Sequence, residues 1–240
     1  MLTVLNECWL YVEWVTLRNG FSRQGAALHA GPLDGAAIFA GVITLVDCIL
    51  QDNQADGGGG GAVYANGGNV TFRRTRMVGN IAEEGGVVYG EVGTVVRMLD
   101  GSKCINNTAD PFKGGCICAH TVQVEHSELL DNRASIGGAI SVTEYGSLNI
   151  THSRVRGNIA TDGGGGIHAT YLVAIYMANT TVAGNTASEG NGGAFQVPPS
   201  VPRCHWLRRG AVPSETLLSA RGWCGPLRDA VVSSGVAQSP

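Results

Sequence analysis

The chain is short of charge and of aromatic rings. Asp, Glu, Lys and Arg make up 15% of its 240 residues, and Phe, Trp and Tyr 6%. The net charge is only −3, and the one arginine cluster, Arg73, Arg74 and Arg76, stands alone. That leaves no basic face for a polyanion, so no nucleic-acid partner is expected. Long apolar runs are missing too. The uncharged stretch 163–188 contains four consecutive glycines, His168 and Asn179, which suit a sheet better than a bilayer, so no transmembrane span is expected. Glu7 and Glu13 interrupt the N-terminal apolar residues, and no secretion-signal pattern appears. The seven cysteines (8, 48, 104, 116, 118, 204 and 224) form no pair of C-x-x-C blocks, which excludes a zinc finger.

Glycine is what the chain has in excess. There are 36, against an ordinary share of roughly 7%. Collagen would need a strict triplet period, and a helical bundle would lose about 1 kcal/mol at each interior glycine. An apolar share of 44% with little net charge is not the composition of a disordered chain. What remains is a turn-dense β fold.

A repeat sets its form. Asparagine recurs at Asn53, Asn80, Asn107, Asn132, Asn158 and Asn185, at intervals of 25 to 27 residues. A Gly-Gly block with a small and then an apolar residue begins five to seven residues after each, at Gly60, Gly85, Gly114, Gly137, Gly164 and Gly192. Eight residues before each asparagine stand Leu45, Phe72, Leu99, Val124, Ile150 and Met177. Three before stand Leu50, Met77, Cys104, Leu129, Val155 and Val182. Polar residues mostly fill the positions between, which is the two-residue period of strands with one buried face. After the glycines comes a third apolar column, Val63, Val88, Ile117, Ile140, Ile167 and Phe195.

A unit of about 26 residues with three short strands cannot bury its own apolar face, but stacked copies can. The expected fold is therefore all-β: a right-handed parallel β-helix of about seven coils over residues 1–197, its N-terminal coil degenerate, followed by a disordered or non-repeat tail, 198–240, that holds six of the eight prolines. The asparagines are expected to form a structural ladder, each side-chain amide bonding its neighbours above and below. A leucine-rich repeat would need more than the seven leucines found between Gly35 and Val197.

Stretches such as CILQDNQADGGGGGAVYANGGNVTF and SELLDNRASIGGAISVTEYGSLNITHS resemble the repeat of the polymorphic outer-membrane protein family. Its motif pair is GGA with an aliphatic residue, matched in full at Gly60 and Gly137, and Phe-x-x-Asn, whose Phe is replaced here throughout. The resemblance implies a right-handed, pectin-lyase-like β-helix, an extracellular or cell-surface setting, and adhesion, with cell-surface glycans or proteins as partners.

Function is expected to be non-catalytic binding; the alternative is a pectin-lyase-like polysaccharide lyase or hydrolase. Asp52, Asp56, Glu83, Glu84, Asp131 and Asp162 fall into no single constellation of the kind such enzymes need. No cofactor or metal is implied. Cys116, Cys118 and His120 read as C-x-C-x-H on one face, a weak soft-metal signal set against idle core thiols. The best binding candidate is the column between the apolar positions of the last strand: His29, Tyr64, Tyr89, Cys118, Ser141, His168 and Gln196, expected to face outward. Asn69, Asn106, Asn149 and Asn179 begin glycosylation sequons.

Overall fold

The computed structural model describes residues 2–4, 9–22, 28–30, 41–171, 173–190, 192–196 and 230–234, with backbone only at 2–4, 22, 28–30 and 230–234. The described chain is all β. It winds as a parallel β-solenoid of about 6 turns. Within the degenerate N-terminal coil, residues 23–27 and 31–40 lie outside the described residues, as does most of the tail.

Each coil begins on a strand of the first sheet: Trp9–Glu13, Val42–Val46, Gly68–Arg73, Thr94–Leu99, the later parts of Ile117–Glu125 and Ile140–Thr151, and Ala174–Ala178. A corner leads to a three-residue strand of the second sheet, such as Arg76–Val78, Lys103–Ile105 or Arg154–Arg156. The asparagine corner follows, then a third short strand such as Ile81–Ala82 or Arg133–Ile136. The Gly-Gly block then turns the chain back to the first sheet, at Val63–Ala65, Val88–Gly90 or Ile167–Ala169. Each strand pairs in parallel with its counterpart one coil on, as Met77 does with Cys104 and Cys104 with Leu129.

Both corners of the second sheet use one rule. A residue in the left-handed region breaks the strand, and the next side chain turns into the core. At the first corner the left-handed residues include Asp47, Arg74, His126, His152 and Asn179, with φ of 46° to 51°, followed by buried Cys48, Thr75, Ser127, Ser153 and Thr180. This supplies the change of parity between the two apolar columns. At the second corner Asp52, Gly79, Asn106, Asp131, Gly157 and Gly184 take positive φ before the six asparagines. Gly, Asn and Asp tolerate that region best. Two of the acids weighed for catalysis, Asp52 and Asp131, are thus corner residues.

Each corner then carries a ladder. The backbone N–H and Nδ2 of Asn53, Asn80, Asn107, Asn132 and Asn158 all donate to Oδ1 of the next asparagine, at 2.8–3.1 Å. Each Nδ2 also reaches a carbonyl of the preceding coil, for example Asn107 to Met77. All six side chains are buried. A shorter hydroxyl ladder runs at the other corner, where the N–H of Thr75 donates to Ser102 Oγ and that of Ser127 to Ser153 Oγ. Buried polar groups are costly unless paired, and here each coil pairs those of its neighbour.

The two glycines of a block do different work. Gly137 takes φ of 67°. Gly138 lies so close to the next coil that a Cβ would run into the Gly165 carbonyl oxygen. The core inside is one continuous apolar cluster with Ile43, Phe72, Met77, Leu129 and Ile150 fully buried. One column differs from its sequence reading. Met98, not Leu99, pairs with Phe72 and Val124. Asp100 and Gly101 make a two-residue corner in that coil, so counting eight back from Asn107 stops one residue short. A disulfide, Cys104–Cys116, crosses the interior of the same coil. Within the tail, Ala230–Ser234 runs parallel to Thr180–Ala187 on the second sheet.

Candidate functional site

The candidate column is off the core, but it is not a solvent-facing stripe. Tyr64, Tyr89, Cys118, Ser141, His168 and Gln196 pair rung on rung and lie outside the apolar cluster. Yet Tyr64 is 7% exposed, Cys118 1% and Ser141 0%, while Tyr89, His168 and Gln196 are half-buried. The side chain of His29 lies outside the described residues. The segments running into the Gly-Gly blocks fold alongside this face. A Cβ at Gly59 would run into the Tyr89 ring, and one at Gly137 or Gly164, the first glycines of two blocks, would crowd His168 Cβ.

The strip is polar and largely enclosed. Tyr64 stacks on Tyr89 with ring centroids 5.7 Å apart, and its hydroxyl bonds the Glu91 carboxylate. Burial, then Glu91, pushes the Tyr64 hydroxyl pKa up, and burial with Glu84 does the same for Tyr89. Burial, and then Glu84, lifts the Cys118 thiol to about 12, so it stays protonated and unreactive at neutral pH. Burial, with Lys113 adding to it, lowers His168 to about 4, so its ring is neutral. Four buried polar atoms have no hydrogen-bond partner among the described residues, and all lie on this face: His120 Nδ1, Ser141 Oγ, Thr143 Oγ1 and His168 Nδ1.

The three side chains of C-x-C-x-H do not all share one face. Cys116 points into the core and is spent in the disulfide, while Cys118 points away from the core on the other face. Adjacent residues Cys116 and Ile117 both turn inward, which breaks the alternation that would have aligned the three side chains. Among the described residues no group of three or more His, Cys, Asp or Glu side chains is placed to hold a metal.

The open face of the first sheet lies elsewhere, on the strand that begins each coil. Tyr11, Thr44, Thr71, Arg97, Gln123, Asn149 and Tyr176 form one outward ladder in continuous register. Tyr11 and Asn149 are exposed and the rest half-exposed. Arg97 sits at its centre, three rungs from each tyrosine. Its Nε donates to Gln123 Oε1 at 3.0 Å and its Nη1 to Asn69 Oδ1 at 2.9 Å. The guanidinium is thus fixed by neutral amides one rung to either side, and no ion pair of Arg97 occurs among the described residues. Trp9, 85% exposed, lies beside Tyr11 on the same strand, and Tyr145 and Tyr171 form an edge-to-face pair at the adjoining turn. Sequence reasoning passed over this ladder because its residue types are mixed and because the column, counted back from Asn107, places Met98 where Arg97 stands.

The arginine cluster is largely neutralised. Arg74 makes a two-pronged bond to Asp47, and Arg73 pairs with Asp100. At the first corner a groove of 560 Å³ is lined by residues that include Lys103, His126, Glu128, His152, Arg154 and Asn179. Lys103, and then Arg154, hold the Glu128 carboxyl below its ordinary range. Of the sequon asparagines, Asn106, Asn149 and Asn179 are exposed and Asn69 is half-exposed. No helix among the described residues is long and apolar enough to cross a membrane.

Comparison with known proteins adds no identity: no family model, no curated protein and no solved structure matches the chain.

Proposed function

We propose that this solenoid is a binding module, adhesive in use, that holds an extended glycan along the outward ladder of its first sheet. The observation that carries the reading is the ladder from Tyr11 to Tyr176, with Arg97 fixed at its middle. Rungs repeat every 4.8 Å or so, and two rungs span about 10 Å, close to the length of a disaccharide. A regular array of hydroxyls, amides and a guanidinium offers hydrogen bonds at sugar spacing, and Tyr11, Trp9 and Tyr176 offer rings for stacking. The buried strip with Tyr64, Ser141 and His168 serves this reading only as support beneath the turns.

Two further points favour a surface setting. The repeat resembles that of the polymorphic outer-membrane proteins, and a disulfide inside the core suits an oxidising compartment.

A glycan array followed by titration calorimetry on the best ligand tests the proposal. Arg97→Ala and Tyr176→Ala are expected to weaken binding at least tenfold, with Glu144→Gln, at the neighbouring turn, unaffected. Binding that survives both ladder changes would reject this face. Release of new chain ends from the ligand would favour the polysaccharide-cleaving alternative.

A further inference from the structure

We propose that the stacked pair His126 and His152 is a binding site for a single divalent first-row transition-metal ion. The two residues occupy the same corner position in adjacent coils, both in the left-handed region and both exposed. Their rings are parallel to within 6°, with centroids 4.7 Å apart. The backbone that carries them is fixed by the solenoid, since the His126 N–H donates to Thr151 and the His152 N–H to Ala178. The pair is therefore held in place before any ligand arrives.

The protonation pattern favours coordination. Asn179 Nδ2 stands 2.9 Å from His152 Nε2 and donates to it, so that nitrogen carries a lone pair. Glu125 Oε1 lies 3.5 Å from His126 Nδ1, which leaves His126 Nε2 on the side away from that carboxylate as the second donor. Metal–nitrogen bonds of about 2.0–2.1 Å require two nitrogens roughly 3 Å apart with converging lone pairs, which the two exposed side chains reach by turning out of the stack about their side-chain torsions. The ion displaces the Asn179 amide, and water fills the remaining positions in the groove.

The local charge permits a cation. Lys103 and Arg154 are both engaged by Glu128, at 2.8 and 2.9 Å, and Glu125 supplies a second negative charge. Two imidazoles with water suit copper, nickel and zinc, with copper(II) bound tightest.

The test is calorimetric titration of the untagged full chain with copper(II), nickel(II) or zinc(II) alone, with electron paramagnetic resonance on the copper form. One ion per chain is expected, with two nitrogen ligands in the spectrum. His126→Gln or His152→Gln should each lower affinity at least tenfold. His120→Gln and His168→Gln should leave it unchanged, and Asn179→Ala should preserve or raise it. Failure to bind at millimolar metal, binding that survives the double change at His126 and His152, or equal loss on His168→Gln would overturn the assignment.

Discussion

Asn107→Ala probes the interior ladder where it is most enclosed. Asn107 is fully buried between Asn80 and Asn132. Truncation removes Oδ1, the acceptor for the Asn80 backbone N–H, and removes Nδ2, the donor to the Met77 carbonyl. Alanine brings no replacement and water has no access, so at least one donor and one acceptor lose these bonds within the core. Each costs about 1–3 kcal/mol, giving an expected loss of about 4 kcal/mol. Whole-domain stabilities are about 5–15 kcal/mol, so the variant should be near its limit at room temperature. Urea unfolding followed by far-ultraviolet circular dichroism measures the difference. Asn149→Ala, on the exposed face of the first sheet, is the control and should stay within about 0.5 kcal/mol of the parent. A loss below about 1 kcal/mol for Asn107→Ala would refute the reasoning, because it would mean the amide ladder is not what satisfies these backbone groups.

Three other outcomes follow from the geometry. Gly138→Ala should destabilise by about 2–4 kcal/mol in the same assay, since its Cβ meets both the Gly165 and Ile159 carbonyls; Gly101→Ala, with nothing within 4 Å but φ of 86°, should cost only about 1–2 kcal/mol. His168 titrates near 4 folded and near 6.5 unfolded, so the unfolded chain binds more protons between those values; stability is complete above about pH 6.5 and falls, by at most about 3 kcal/mol, as the pH drops towards 4. His168→Gln should flatten that part of the stability profile, and an unchanged slope would count against burial of the ring. Reduction of Cys104–Cys116, which closes a loop of sequence separation 12, should cost about 3 kcal/mol, seen as a lower unfolding midpoint in dithiothreitol that Cys104→Ala reproduces and no longer responds to.

Much of the architecture is legible in the repeat itself. Asparagine and glycine mark corners because each coil imposes the same demands on backbone geometry, and the apolar columns report the interior. The column eight before asparagine fails at one coil because a two-residue corner at Asp100 and Gly101 shifts Met98 into the place counted for Leu99. Alternation shows which way Tyr89 and Cys118 point but not what lies beside them, because their neighbours, Gly59 at Tyr89 and Glu84 near Cys118, come from other coils. The disulfide is hidden for the same reason. Cys104 belongs to a strand column and Cys116 to a glycine block, and only closure of the coil brings the two together. Arg97 becomes a site residue only when Asn69 and Gln123 are placed on the rungs beside it.

Every ladder in this account rests on in-register stacking, and pulsed electron resonance between spin labels tests it directly. Ile49, Arg76, Lys103, Glu128, Arg154 and Thr181 occupy one column of the second sheet on successive rungs. A label at Thr181 paired in turn with labels at Ile49 and Arg76 should give distances of about 24 and 19 Å, a step of about 5 Å for 27 residues of sequence. Distances that do not shorten by one rung between the two pairs, or that spread broadly, would contradict the stacked solenoid and every site derived from it.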